Sequence, residues 1–454
     1  MPRALLLVAL LAALDAISTT AAATEQADAS LRWQGLTLYG VVDIGVAYQS
    51  HGAAASDYFA QGVDYAVAKN SANPVTGLAP NGLSQTRLGL KGEHAFSQDL
   101  SGVFMLESRF SPLSGEIANG PRSLLQNNGV ALSAQSANGD SSQAGQLFSA
   151  AAWAGVRSAR FGSLTLGRQN GLLYDNVLAY DPQGGSYAFS LIGFSALAAG
   201  GGYSEYNRLN NSARYVGCFG PLHLGAQYQA AGQEVGGQGY QLNIGATLGQ
   251  LSTDLTYTNK RDAVSLASYS PVTTQQQSQV LVPANLLAAT LADTRSLSLM
   301  ARYRLDDWML YGGYEAIVYS SPDPGSPYLD IGASTIGGYT IGALSNNAFS
   351  NARTLGVSWA GLRYALTSEL ALSGGAYHYA QNSYAGGKSA GCSNASLAAC
   401  AGAETALSLV LDYRYDAHLD FYGGALRSEV SGGLAAGFLN SSVLSLMTGI
   451  RLVF

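Results

Sequence analysis

Charge is scarce in this chain: 11% of its 454 residues are Asp, Glu, Lys or Arg, where soluble globular domains carry roughly 25%. Lysine is nearly missing, with 4 among the 23 basic groups. The net charge of −6 and the lack of any Lys/Arg run exclude nucleic acid as a partner. Past residue 23 no apolar run reaches the roughly 20 residues that a membrane-spanning helix needs. No Pro/Ser-rich linker or composition shift divides the chain, although its length would allow about three domains of roughly 150 residues. Catalytic spacings are missing as well. His51, His94, His223, His378 and His418 are scattered, with no HExxH pair and no G-x-S-x-G elbow. Gly386-Gly387-Lys388-Ser389 resembles the end of a phosphate-binding loop, but Asn382 holds the first glycine position and no strand–helix context follows. The expectation is therefore no catalytic residue, no cofactor and no metal ligand. What is plentiful is glycine (55), tyrosine (27) and a 47% hydrophobic share that never gathers into blocks.

The amino terminus sets the compartment. Met1-Pro2-Arg3 is a short basic start, Ala4 to Leu14 an apolar stretch too short to span a bilayer, and Ala21-Ala22-Ala23 a small-residue cleavage site. Residues 1–23 read as a signal peptide, and the mature domain as 24–454. Three cysteines follow it. Cys392 and Cys400 share a polar stretch, where an oxidising compartment favours a small loop disulfide over a metal site, since no histidine or further cysteine lies nearby. Cys218 is expected as a small buried side chain in a strand.

The dominant signal has period two. From 36 to 49, Leu36, Leu38, Gly40, Val42, Ile44, Val46 and Tyr48 alternate with Thr37, Tyr39, Val41, Asp43, Gly45, Ala47 and Gln49. Residues 403–415 alternate in the same way, as do 84–94, 100–110, 222–231, 238–249, 250–259, 294–305, 307–318, 369–380, 418–428 and 443–454. Weaker runs at 148–158, 161–169, 210–218 and 351–366 bring the expected strands to sixteen. A half-buried sandwich would alternate too, so the connections decide. Tight joins at 95–99, Gly220-Pro221, Gly249-Gln250, Asp306-Asp307, Thr367-Ser368 and Asp416-Ala417 alternate strictly with long polar stretches such as 50–83, 111–147 and 170–209. Outer-membrane barrels sort their connections by parity, with short turns on the periplasmic side, long loops outside and an even strand number. Tyr48, Tyr228, Tyr257, Tyr303, Trp308, Tyr413, Tyr415 and Phe454 lie mostly near strand ends, as interfacial girdles require. The fold expected is all-β: a sixteen-stranded antiparallel transmembrane β-barrel in outer-membrane lipid.

Several segments carry a family likeness. Leu36-Thr37-Leu38-Tyr39-Gly40-Val41-Val42-Asp43-Ile44-Gly45 resembles the first strand of Gram-negative general porins of the β-proteobacterial type. Thr86-Arg87-Leu88-Gly89-Leu90-Lys91-Gly92-Glu93 followed by Leu106-Glu107-Ser108 is similar to their next two strands. Phe161-Gly162-Ser163-Leu164-Thr165-Leu166-Gly167-Arg168-Gln169 with Leu173-Tyr174-Asp175 resembles the approach to their constriction loop, and Asn210-Asn211-Ser212-Ala213-Arg214-Tyr215 the exit from it. The last six residues, ending in Phe454, are similar to the family's terminal strand. The resemblance implies a homotrimeric bacterial outer-membrane channel, exported through the periplasm, for passive diffusion of ions and small hydrophilic solutes. It also implies an inward-folded third loop, here about 170–207, and a terminal Phe454 read by the barrel assembly machinery. Ala150-Ala151-Ala152, Thr367-Ser368-Glu369 and Asp416-Ala417-His418 depart from the family pattern.

Selectivity in such a pore follows from its width and its charged side chains. Alternation turns Arg87, Lys91, Arg109, Arg214, Arg302, Arg304, Arg414 and Arg451 inward, against Asp43, Glu93, Glu107, Asp254, Glu315, Asp412 and Asp420. Arg168 falls out of phase, so Gly167 marks either a bulge or the strand end. The expected constriction sets Arg87, Arg168 and Arg208 on the wall against Asp175 and Asp181 on the third loop, or those charges simply anchor the loop. Lys91, Glu107, Arg109 and Arg214 are expected to face the lumen. The alternative is a non-porin outer-membrane barrel, adhesive or structural, or a barrel protease. A plugged barrel calls for bulky inward residues, whereas Gly, Ser, Ala, Thr and charges are expected to dominate here.

Overall fold

The computed structural model describes residues 31–58, 73–117, 120–137, 146–194, 208–232, 236–269, 285–329, 335–336, 338–386, 392 and 397–454. The expected signal peptide lies outside them.

The strands are β1 (Leu31–Trp33), β2 (Leu36–Gly52), β3 (Asn73–Pro80), β4 (Arg87–Ala95), β5 (Leu100–Arg109), β6 (Ala151–Ser158) and β7 (Gly162–Asn170). Next come β8 (Arg208–Phe219), β9 (Leu222–Gln229), β10 (Gly239–Leu248), β11 (Leu251–Ser268), β12 (Leu286–Leu305) and β13 (Trp308–Ser320). The last are β14 (Thr335–Ile336), β15 (Tyr339–Ser345), β16 (Arg353–Ala365), β17 (Leu370–Gln381), β18 (Gly402–Arg414), β19 (Leu419–Gly432) and β20 (Ser442–Val453). Among the described residues three short α-helices lie in loops: α1 (Gly120–Leu125), α2 (Leu172–Tyr180) and α3 (Leu191–Phe194).

Sixteen antiparallel wall strands form one closed sheet. Each pairs with its sequence neighbour, and β20 returns to β2 from Val41↔Val453 to Gln49↔Ser445. Closure is what lipid demands, because an unpaired backbone amide has no water to bond there. The carboxyl terminus completes the seam: Gly40 N–H donates to Phe454 O at 2.9 Å, and Phe454 N–H to Gly40 O at 3.1 Å. A Cβ at Gly40 would collide with the Phe454 ring, so the glycine seats that ring.

The alternation separates two environments. Leu222, Leu224, Tyr228, Leu242, Ile244, Leu297, Leu299, Leu407 and Leu409 are exposed on the outer face. Gln227, Gln229, Gln241, Thr256, Thr258, Ser296 and Ser298 are buried on the inner one. A water-soluble protein would not present so continuous an apolar exterior, but a lipid-facing band consists of it. The stacked pair Trp308–Tyr364, 4.2 Å between ring centroids, sits at the tight-turn end of that band.

Three wall features depart from simple alternation. Gly167, at φ +129°, opens a register shift between Gly167 and Gln169, so the out-of-phase Arg168 is explained by a bulge. β11 and β12 run on past the expected loop boundary: after a shift between Lys260 and Ala263 the ladder continues to Ser268↔Leu287. There Val264, Leu266, Leu287 and Leu291 bury themselves against Leu124 of α1 and Ile341 of β15. Finally, the second wall strand is broken. β2 pairs with β3 along its upper part and with β4 along its lower part, and residues 81–86 leave the ladder between them.

Candidate functional site

The third loop starts where β7 ends and folds inside the barrel. Its first segment is helical because apolar residues fall at 173, 177 and 180, one face of a 3.6-residue repeat. The wall supplies the cap: Leu172 N–H donates to Gln227 Oε1 at 3.1 Å and Leu173 N–H to Gln241 Oε1 at 3.0 Å. Leu173, Val177, Tyr180, Leu191 and Ile192 pack against Met300, Ile317, Tyr319, Leu355, Val357, Trp359, Tyr377 and Tyr379. The expectation of a small or charged inward face therefore fails along β12, β13, β16 and β17. Bulky residues line β12 to β17 on the inside, and the third loop covers them. Polar ties reinforce the contact, among them Trp359 Nε1–H to Tyr180 O at 3.0 Å and Tyr180 O–H to Asp254 Oδ2 at 2.6 Å. Ala188 and Phe189 carry the packing on to Val410, Tyr422, Leu426 and Met447.

Along the arc from β4 to β8 the described part of the loop stands off from the wall. A cavity of about 520 Å³ runs between that arc and the loop, bounded by Arg87, Met105, Glu107, Trp153, Arg157, Gln169, Arg208 and Arg214 on the wall. Tyr174, Leu178, Gly184, Gly185 and Tyr187 bound it on the loop side. Arg87, Arg157, Arg208 and Arg214 border this passage.

The expected site residues divide. Arg87 lines the passage, its Nε 3.3 Å from Glu107 Oε2, and Glu107 also accepts the Tyr39 hydroxyl at 2.8 Å. Arg109, directly across from Arg87 in register, is fully buried, and its three guanidinium nitrogens have no hydrogen-bond partner among the described residues. Arg168 donates through Nε to Ser149 O at 2.8 Å and through Nη1 to Asn210 Oδ1. Arg208 lies 5.2 Å from the Tyr174 ring centroid, with Nε and Nη1 unpartnered among the described residues. Lys91, two positions further towards the turn than Gly89, lies over the Tyr39 ring at 5.3 Å.

The two loop acids do not face the arginines together. Asp175 pairs with Arg214 and accepts Asn170 Nδ2–H at 2.7 Å, which fixes the start of the loop. Asp181 turns away from the passage. It is buried against β17, where it accepts Gly185 N–H at 2.7 Å and the Tyr377 hydroxyl at 2.8 Å. Burial pushes the Asp181 carboxyl above the usual range, opposed by bonds from Ser190, Gly185, Tyr377 and Gln183. Burial likewise pushes the Tyr174 hydroxyl well up, aided by Tyr187 and countered by Arg109. Glu205, a further acid of the expected third loop at 170–207, lies outside the described residues. Away from the passage, Cys392 and Cys400 are bonded to each other, while Cys218 is exposed rather than buried. Period-two reading missed Tyr174, Tyr187 and the 83–85 segment of the lining, because loop residues carry no parity signal.

A closed sixteen-stranded wall with a greasy exterior, an internal loop and an arginine-lined passage defines a porin-type outer-membrane barrel. A profile of the Gram-negative porins matches residues 8–433, and the chain belongs to that family. An outer membrane porin protein of Bordetella pertussis is 28% identical over 163 residues, covering 36% of this chain and 35% of the relative, about a third of its length. Among solved structures, the anion-selective porin from Comamonas acidovorans gives a TM-score of 0.60 at 17% identity, over 92% of this chain and 99% of that one. The trimer form of OmpT, an outer membrane protein of Vibrio cholerae, gives 0.53 at 12% identity over 92% and 99%. At these identities the structural likeness concerns the fold. The family places the protein in the bacterial outer membrane, among the porins rather than the barrel proteases weighed above.

Proposed function

We propose that this protein is a diffusion channel for small hydrophilic solutes whose constriction favours anions. The observation that carries this reading is the charge on the arc from β4 to β8. Arg87, Arg109, Arg168, Arg208 and Arg214 gather there, while among the described residues Glu107 and Asp175 are the acids beside them. Arg157 lies on the same arc but is paired with Glu93 at 3.1 Å. Five positive groups against two negative ones leave a positive field in a narrow aqueous passage, and fields there are focused by the low-dielectric walls. The preference named in the Comamonas protein's description agrees with this reading. The third loop forms the constriction, Asp175 serves as its anchor, and Asp181 holds it to the far wall rather than supplying a facing acid.

The working unit is a homotrimer, a reading supported by the trimer form of the Vibrio protein. Residues 1–23 direct export and are removed before assembly, and Phe454 serves as the terminal signal read by the assembly machinery. Reconstitution in a planar bilayer across a salt gradient tests the function. Stepwise conductance with a reversal potential of anion sign supports it, and absence of conductance overturns it. Gel mobility without boiling tests the trimer, and amino-terminal sequencing of the mature protein tests the cleavage before Thr24.

A further inference from the structure

We infer that Asp43 is a positioning residue for the constriction: its buried carboxylate holds an inward detour of the second wall strand, and that detour latches the tip of the third loop. The inference rests on the passage described above being the conducting path.

The break in the second strand falls opposite Asp43. On that side of β2 the ladder stops at Ile44↔Pro80 above and Val41↔Arg87 below. Residues 81–86 turn inward, starting from Asn81 at φ +61°. The detour returns the hydrogen bonds that the ladder loses there. Asn81 N–H donates to Asp43 O at 2.8 Å, and Asp43 N–H donates to Thr86 Oγ1 at 3.0 Å. Thr86 N–H closes the neck on Asn81 Oδ1 at 2.7 Å.

The carboxylate holds the detour's tip. Gly82 N–H donates to Oδ1 at 3.0 Å, and Leu83 and Ser84 N–H donate to Oδ2 at 2.9 and 2.8 Å. The Tyr422 hydroxyl donates to Oδ1 at 2.6 Å from β19. Three successive amides around one anion form a nest, and bonds to an ionised acceptor are the strong ones. No neutral side chain of that size substitutes: an amide offers one acceptor oxygen and turns an NH2 donor towards amide donors.

The detour in turn receives the third loop. Gly82 O accepts Ser186 O–H at 2.6 Å and Ala188 N–H at 3.0 Å, and Gln85 Oε1 accepts the Tyr187 hydroxyl at 3.0 Å. Leu83, Ser84, Gln85, Gly184, Gly185 and Tyr187 all line the passage, whereas Asp43 does not. The loop is therefore pinned at both ends of the opening, by Arg214–Asp175 where it begins and by the Asp43 detour at its tip. Asp43 acts on the opening only through that second pin.

The test uses the whole protein with Cys218→Ala as the parent, since that thiol is exposed. Ser84→Cys, on the detour, reports its release through labelling by a water-soluble thiol reagent. Adding Asp43→Asn should speed labelling by about tenfold, the factor equal to about 1.4 kcal/mol, within what loss of a hydrogen bond to a charged group costs. In bilayers Asp43→Asn should raise single-channel conductance and current noise and lower ion selectivity, with unboiled gel mobility unchanged. Should Asp43→Asn fail to assemble, the pair Ser186→Ala and Tyr187→Phe removes two of the latch's three hydrogen bonds without altering the wall and should give an electrical change of the same sign. Where both backgrounds assemble, their effects should be less than additive, as for members of one network. Equal labelling rates with and without Asp43→Asn overturn the latch whether or not the channel conducts. Loss of conductance in the parent itself contradicts the pore reading and leaves the labelling comparison to decide the latch.

Discussion

Arg208→Gln isolates the field of the constriction from its architecture. Arg168 is a poorer choice, because its guanidinium holds Ser149 and Asn210. Arg208 lines the passage with two guanidinium nitrogens unpartnered among the described residues, so its removal breaks no hydrogen bond there. An ion passing about 6 Å from one unit charge in water-like dielectric feels roughly 0.7 kcal/mol. The sign is opposite for anion and cation, so the permeability ratio changes by about 1.4 kcal/mol, or about tenfold. Salt at about 0.1 M shortens the Debye length to about 10 Å and reduces this to a few-fold. The assay is the zero-current potential in a planar bilayer across a potassium chloride gradient, at low and at moderate salt. Arg208→Gln should move the potential towards the cation side, more strongly at low salt, and Arg208→Lys should stay close to the parent. An unchanged potential at low salt, with conductance intact, would refute the argument that the arginine surplus sets selectivity.

Other perturbations act on separate parts of the molecule. Deleting Phe454 removes the ring seated on Gly40 and two seam hydrogen bonds, and should reduce outer-membrane assembly, measured by heat-modifiable mobility in membrane fractions. Leu173→Ala empties a fully buried position beneath the third loop and should weaken loop docking by about 2–5 kcal/mol, seen as open-channel noise and faster proteolysis of the loop with the barrel intact. Asp181 has its carboxyl raised by burial, so the docked loop binds that proton more tightly than a released loop does. Docking is then strongest in acid and weakens as pH rises from about 4 through the raised range. Asp181→Asn should flatten that dependence in noise recorded against pH. Reducing Cys392–Cys400 should leave conductance unchanged, because neither residue borders the passage.

The wall was legible in the sequence because period two and connection parity are local properties. A strand such as 403–415 announces both faces by itself, and a two-residue join such as Asp306-Asp307 can only be a tight turn. The break at 81–86 left no such trace, since Ser84-Gln85-Thr86 continues the pattern of the strand below, and the break exists only through Asp43 and Tyr422 across the seam. The bulge at Gly167 was half legible, because Arg168 fell out of phase but nothing local said whether the strand continued. The inner apolar face was hidden for a different reason. Ile317, Tyr319, Val357 and Trp359 alternate with outward residues that are also apolar, as in Val318 and Tyr314, so hydrophobicity alone could not tell inside from outside. Charge placement was legible as parity but not as partnership. That Asp175 pairs with Arg214 while Asp181 turns to Tyr377 depends on a loop path that no spacing encodes.

A water-filled passage along the β4–β8 arc with a positive field conducts and prefers anions. The most direct measurement is the reversal potential of the unmodified protein, reconstituted as a single channel across a tenfold chloride gradient. Stepwise conductance with a potential of anion sign, shrinking as salt rises, is the predicted result. A potential of cation sign, or a membrane that stays electrically silent with the assembled barrel present, would contradict it.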